Sequence, residues 1–326
     1  MVSLTLNSAD WTTCAVFFIH LTLFYGRRTW RQINVLQEYQ FQTLSQAMTV
    51  KLSDISALDS PKCKIKDPAK VEHLLNQLAC GGVNRLQIVA DFDFTITKRQ
   101  LENGERVLSS FGLLEQCPSL PEVYRQKANE LKEKYFPIEI NPHMDVSEKI
   151  EAMVEWWSRS SELLKGFPLS QNEIESIAEH YKDATRDGAK DLFDQLHKSN
   201  VPILIFSAGL GDSVRAMLKY FNMLLPNVKL VSNFLKYKDG LLDGYDTHNM
   251  IHVFNKNESA LKGSKEYDLL HDRNNIIVMG DSLGDSSMGN GCVSGSEAHI
   301  LKIGFLNEHV SSTASVMSEQ HAKNIV

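Results

Sequence analysis

Leu86-Gln87-Ile88-Val89-Ala90-Asp91-Phe92-Asp93-Phe94-Thr95 is the stretch on which the fold turns. Its first five residues form a short, mostly apolar run of the kind that makes a buried strand, and two carboxylates stand at its carboxyl end. Downstream the pattern repeats. Residues 201–206, 228–232, 251–254, 276–279 and 300–304 read as further strands, with helical stretches such as 188–198 and 212–221 between them. Alternation at these lengths predicts a parallel sheet wrapped by helices. Upstream, Asp67-Pro68 set an N-cap and a first-turn proline before Val71, Leu74, Leu75 and Leu78, and Gly81-Gly82 close that helix. From 118 to 183 the pattern is almost wholly helical, with capping-box spacing at Asp145/Glu148 and Ser170/Glu173. This block falls between the first strand and the others, so it reads as an insertion into an α/β domain.

At 326 residues the chain exceeds one typical domain of roughly 100–200 residues. Its composition, 43% hydrophobic and 23% charged, is that of a globular protein and excludes collagen-like or disordered chains. A net charge of −6 without a basic stretch sets nucleic acid aside as a partner. Cys14, Cys63, Cys80, Cys117 and Cys292 are scattered and never in CxxC spacing, which fits a reducing, cytoplasmic setting rather than a disulfide framework or a thiolate zinc site. Residues 11–25 carry no charge but fall short of the roughly 20 apolar residues a bilayer crossing needs. No basic residue precedes them, and Arg27, Arg28 and Arg31 follow, so a secretory signal does not fit. They read as a variable leader or docked helix; membrane association through them is not favoured.

Ligands of open α/β sheets bind beyond the carboxyl ends of the strands. There the chain places Asp91 and Asp93, then Ser207-Ala208-Gly209, then Asn255-Lys256, then Gly280-Asp281-Ser282-Leu283-Gly284-Asp285. Singly, each has an ordinary explanation as a solvated turn, a surface lysine or a helix cap. Gly209-Leu210-Gly211 hints at a dinucleotide loop, but Val214 stands where its third glycine is required. Together the four strand ends supply one reaction, phosphoryl transfer through a carboxylate. An aspartate nucleophile repels a phosphate dianion unless Mg²⁺ on two or three carboxylates, with a lysine, offsets the charge. A second acid two residues on lies on the same side of an extended chain and can protonate the leaving oxygen.

These residues resemble, in order, the four motifs of the haloacid dehalogenase superfamily of phosphatases. Ala90-Asp91-Phe92-Asp93-Phe94-Thr95, Met153-Val154-Glu155-Trp156, Phe206-Ser207-Ala208-Gly209, His252-Val253-Phe254-Asn255-Lys256 and His299-Ile300-Leu301-Lys302-Ile303-Gly304 are similar to the cytosolic 5′-nucleotidase III, or pyrimidine 5′-nucleotidase, family. The resemblance spans 64–307. It implies a Rossmann-like core with an inserted helical cap, and Mg²⁺-dependent hydrolysis of nucleoside 5′-monophosphates (CMP and UMP, extending to 7-methyl-GMP) through an aspartyl-phosphate. It further implies Asp91 as nucleophile and metal ligand, and Asp93 as acid/base binding metal through its backbone carbonyl. Asp281 is then the third protein ligand, Ser207, Ala208 and Lys256 hold the phosphate, and Glu139 and Ser160 face the nucleoside. Trp157 is the candidate for stacking on the base, with packing inside the cap as its plain alternative.

The expected divisions are a leader at 1–63, an α/β core at 64–100 plus 184–310, a helical cap at 101–183, and a polar tail at 311–326. The family continues past the 300–304 strand with another strand and helix, whereas the tail here has no apolar period, so an unpaired sheet edge is expected. Two other readings compete: the same chemistry on another small phosphomonoester, and a non-catalytic nucleotide-binding form marked by the divergent C-terminus.

Overall fold

A computed structural model describes residues 2–7, 50–55, 58, 63–246, 250–257, 273–290 and 298–306. The apolar run at 11–25 and the polar tail at 311–326 lie outside these residues. In chain order the first elements are β1 (Val2–Asn7), β2 (Cys63–Ile65), α1 (Pro68–Gly81) and β3 (Leu86–Ala90). The helical stretch follows as α2 (Ser110–Glu115), α3 (Glu122–Ile140), α4 (Val146–Leu164) and α5 (Gln171–His180), then α6 (Ala189–Lys198). The chain returns to the sheet through β4 (Ile203–Leu210), α7 (Gly211–Tyr220) and β5 (Val228–Asn233), and adds a hairpin of β6 (Leu235–Lys238) and β7 (Leu241–Tyr245). β8 (Asn275–Gly280) and β9 (His299–Leu306) complete it.

Seven strands form one sheet in the order β2-β1-β9-β8-β3-β4-β5, parallel except for β2. Every residue of β3, β4 and β8 is buried, as expected of parallel strands covered on both faces: α1, α6 and α7 pack on one face, and Ile251 and Met288 on the other. The period of two sorts these strands cleanly. Ile88, Ala90, Ile203, Ile205, Ile277 and Met279 join one large core with Leu75 of α1 and Phe193 of α6. Val89, Leu204, Phe206, Ile276 and Val278 form a smaller core on the opposite face. Asp67 caps α1 by accepting from the Lys70 amide at 3.0 Å, with Pro68 in its first turn, as the sequence predicts.

Three expectations change. Residues 251–254 are not a strand but a turn, because His252 and Asn255 close on each other: the His252 amide donates to Asn255 Oδ1 at 2.7 Å and the Asn255 amide to the His252 carbonyl at 3.1 Å. The sheet edge beside β9 is not bare. β1 pairs with it in parallel along six residues, from Val2 opposite Leu301 to Asn7 opposite Leu306. The capping box at Ser170 is only half made: Ser170 Oγ accepts from the Glu173 amide, but the Glu173 carboxylate turns to the amide and hydroxyl of Ser119, tying α5 to the approach of α3.

Candidate active site

β3 lies between β8 and β4, so the three strand ends that carry candidate residues are adjacent at one rim. Asp91 is the first residue past β3, its amide donating to the Met279 carbonyl at 2.9 Å. Phe94, three residues on, holds a left-handed φ of 59° that a bulky residue adopts only under constraint. The constraint is visible. The Phe94 amide donates to Thr97 Oγ1 at 2.8 Å, and the Arg186 guanidinium donates to the Phe94 and Thr95 carbonyls at 2.5 and 2.8 Å.

Ser207, Ala208 and Gly209 sit in an irregular stretch of β4. Phe206 pairs with Val231 and Leu210 with Asn233, so the β4 side carries extra residues and bulges. Ser207 Oγ accepts from the Gly209 amide at 3.0 Å. A Cβ on Gly209 would stand 2.0 Å from Ser110 Oγ and 2.8 Å from Asp93 Oδ2, so only glycine lets β4 approach the second acid. Asp93 itself turns away from the other acids: its carboxylate accepts from the Ser110 amide at 2.8 Å and hydroxyl at 2.7 Å.

Lys256 comes from the turn rather than from a strand end. Its Nζ is 2.5 Å from Asp91 Oδ1 and 2.8 Å from Asp285 Oδ1, and all three groups are buried. Asp285 is fixed in turn by the Ser282 amide at 2.9 Å and hydroxyl at 2.7 Å. Gly280 makes room for it, since a Cβ there would meet the Asp285 Cβ at 2.2 Å. Asp91, Asp281 and Asp285 each bring a carboxylate oxygen within 4.8 Å of the others.

Burial pushes Asp91 up to about 7; Lys256 pulls it down, while Asp285 and Asp93 add to the rise. Burial, then Asp91 and Asp285, hold Asp281 well above the usual carboxylate range. Burial opposes the charge on Lys256, yet Asp285 and Asp91 outweigh it and raise its pKa. Asp91 and Asp281 thus resist ionisation in this crowd, and an oxygen-only donor set of this size suits a small hard divalent cation. Asp93 is also raised by burial, against the two Ser110 hydrogen bonds.

Glu139, one residue from the end of α3, stands half-buried above this rim. Burial pushes it up to about 7, while Lys256 and then Lys149 pull it down and Asp285 raises it. Trp157 and Ser160 on α4 meet β7 instead. The Tyr245 hydroxyl donates to the Trp157 carbonyl at 2.6 Å and is hydrogen-bonded to the Ser160 side chain. The Trp157 indole lies 4.6 Å from Phe111 and 5.6 Å from Trp156, centroid to centroid, and its buried Nε1 has no hydrogen-bond partner among the described residues. Asp285 is named in the Gly280–Asp285 motif but is given no role by the sequence, and Ser110 and Arg186 are marked by no local pattern at all.

A family model described as pyrimidine 5′-nucleotidase (UMPH-1) matches residues 94–321. A Drosophila melanogaster protein named 7-methylguanosine phosphate-specific 5′-nucleotidase is 51% identical over 264 residues, 81% of this chain and 82% of its own length. A Homo sapiens protein of the same name is 36% identical over 79% of this chain and 85% of its own. Among solved structures, cytosolic 5′-nucleotidase IIIB bound to cytidine superposes with a TM-score of 0.78 at 49% identity, covering 83% of this chain and 90% of that one.

Proposed function

Because the chain belongs to the pyrimidine 5′-nucleotidase family, we propose that this 5′-nucleotidase hydrolyses nucleoside 5′-monophosphates with Asp91 as nucleophile and Mg²⁺ as cofactor. The observation that carries the reading is the convergence of Asp91, Asp281, Asp285 and Lys256 at adjacent strand ends. Asp91 and Asp281, with the main-chain carbonyl of Asp93, would hold Mg²⁺; it supplies positive charge that lets a carboxylate meet a phosphate dianion.

The chain's own residues do the rest. Lys256, held at 2.5 Å from Asp91, keeps the nucleophile ionised and offers a cation to the phosphate. Attack of an Asp91 oxygen on phosphorus forms an acyl phosphate and breaks the bond to the nucleoside 5′-oxygen, which takes its proton from Asp93. A carboxyl raised by burial and anchored by Ser110 suits that donor. Asp93 then accepts a proton from the water that hydrolyses the acyl phosphate, releasing phosphate and restoring Asp91. The Ser207 hydroxyl and Ala208 amide lie on the neighbouring bulge to hold phosphate oxygens. Glu139 faces the base as an acceptor, which suits the amine of cytosine and the N–H edge of 7-methylguanine better than uracil. The names of the relatives and the bound cytidine of the solved neighbour support both bases.

Asp91→Asn is the test. An amide is a poor nucleophile and brings no charge to a cation, so CMP and 7-methyl-GMP hydrolysis in Mg²⁺ should vanish while the melting temperature holds. Turnover near the wild-type rate in that variant would sink the covalent mechanism.

A further inference from the structure

Lys149, in the first turns of α4, is 8% exposed with no directly paired carboxylate among the described residues, a rare burial for a lysine. Its Nζ donates to the Glu139 carbonyl at 3.1 Å, at the end of α3 where main-chain carbonyls lack partners within the helix. The same ammonium stands 5.4 Å from the centroid of the Phe254 ring, within the range of a cation–π contact. Phe254 belongs to the turn that delivers Lys256 two residues later, and the Phe254 amide is bound by His252 Nδ1 at 3.2 Å. One buried cation thus touches the helix end that carries Glu139 and the core turn that carries the phosphate-binding lysine. Its charge also acts on the Glu139 carboxylate itself.

We propose that Lys149 is the positioning residue for base selectivity, holding the end of α3 so that Glu139 is presented to the base as an acceptor. The inference rests on the reading of Glu139 given above. Without the ammonium, the α3 end loses its tie to the Phe254 turn, and Glu139 is both displaced and less firmly charged. The loss falls on substrates that donate a hydrogen bond to Glu139, and not on chemistry at phosphorus. Methionine keeps the length and apolar stem of Lys149 and removes only the charge; arginine keeps the charge.

Steady-state kinetics of the full-length wild type, Lys149→Met, Lys149→Arg, Glu139→Gln and Lys149→Met/Glu139→Gln with CMP and UMP in Mg²⁺ test this. Lys149→Met should lower the CMP-to-UMP ratio of kcat/KM on the order of tenfold, as expected for a lost charge-assisted hydrogen bond. The change should lie mainly in KM for CMP, and Lys149→Arg should restore most of it. Glu139→Gln should cause a similar loss, and the double variant should lose little more, because the two act through one contact. A wild type indifferent to the base, an unchanged ratio in Lys149→Met, or an equal fall on both substrates that arginine does not rescue would overturn the assignment. A wild type inactive on every mononucleotide would instead defeat the proposed function itself.

Discussion

At Asp91, burial and two neighbouring acids work against ionisation, and Lys256 works for it from 2.5 Å. Lys256 is therefore the group that favours the carboxylate anion here, and attack on phosphorus needs the anion. Trp157 is the opposite case, a residue whose surroundings fit two roles. It packs against Phe111, Trp156 and Tyr245, as a core residue would, yet it stays half-buried and keeps an unpartnered indole N–H among the described residues. A stacking residue gains from a cationic base, roughly 0.5–2 kcal/mol depending on desolvation. Trp157→Leu should therefore reduce kcat/KM for 7-methyl-GMP about threefold or more beyond its effect on CMP. Equal falls on both substrates, with a lower melting temperature, would show that the indole only fills the core.

At the scale of elements, the strands and helices that obey a simple period were legible. β3, β8 and β9 stand within a residue or two of their expected bounds at the site end, and α1 is capped by the two residues that announce it. The turn at 251–257 was not, because Ile251-His252-Val253-Phe254 has the composition of a strand while its hydrogen bonds are set by side chains. Asn255 is the hub: Oδ1 accepts from the His252 amide, and Nδ2 donates to the Met250 carbonyl at 2.8 Å. Asn233 does the same from β5, bonding the Ala208 carbonyl and both main-chain groups of Ile251 at 2.9 Å. Such long-range polar ties leave no periodic trace in sequence. The same holds for Ser110 and Arg186, which lock the residues after β3 from distant points in the chain. Asn255→Ala breaks two hydrogen bonds of the turn, each worth about 0.5–1.5 kcal/mol. Since the turn's product is the position of Lys256, the variant should raise KM for CMP severalfold and weaken inhibition by inorganic phosphate to match. A lowered melting temperature with both phosphate affinities intact would show that the turn supports the fold and not the site.

For the whole molecule, the edge of the sheet is where sequence reasoning failed most clearly. The stretch past β9 offers no apolar alternation, and from that alone an open edge follows. The strand that covers it comes from the other end of the chain, and a parallel pairing of residues almost 300 positions apart has no local signature. β1 is internal once β2 adds to its far side, so its amides serve a ladder on one side or the other. It lies three strands from β3, separated from Asp91 by β9 and β8. Stability and chemistry should therefore come apart here. Proline at Leu4 deletes an amide and stiffens a residue within the ladder, a change tolerated only at edges and bulges. Leu4→Pro should lower the melting temperature by several degrees, given that about 1 kcal/mol moves the transition of a 150–250-residue domain by roughly 2–4 °C. At 15 °C, well below the transition, its kcat for CMP should stay within about twofold of wild type, because the candidate site is built at the ends of β3, β4 and β8. An unchanged melting temperature would mean that β1 contributes nothing to the sheet. A normal melting temperature with lost activity would mean that the edge reaches the site by a route the strand order does not supply.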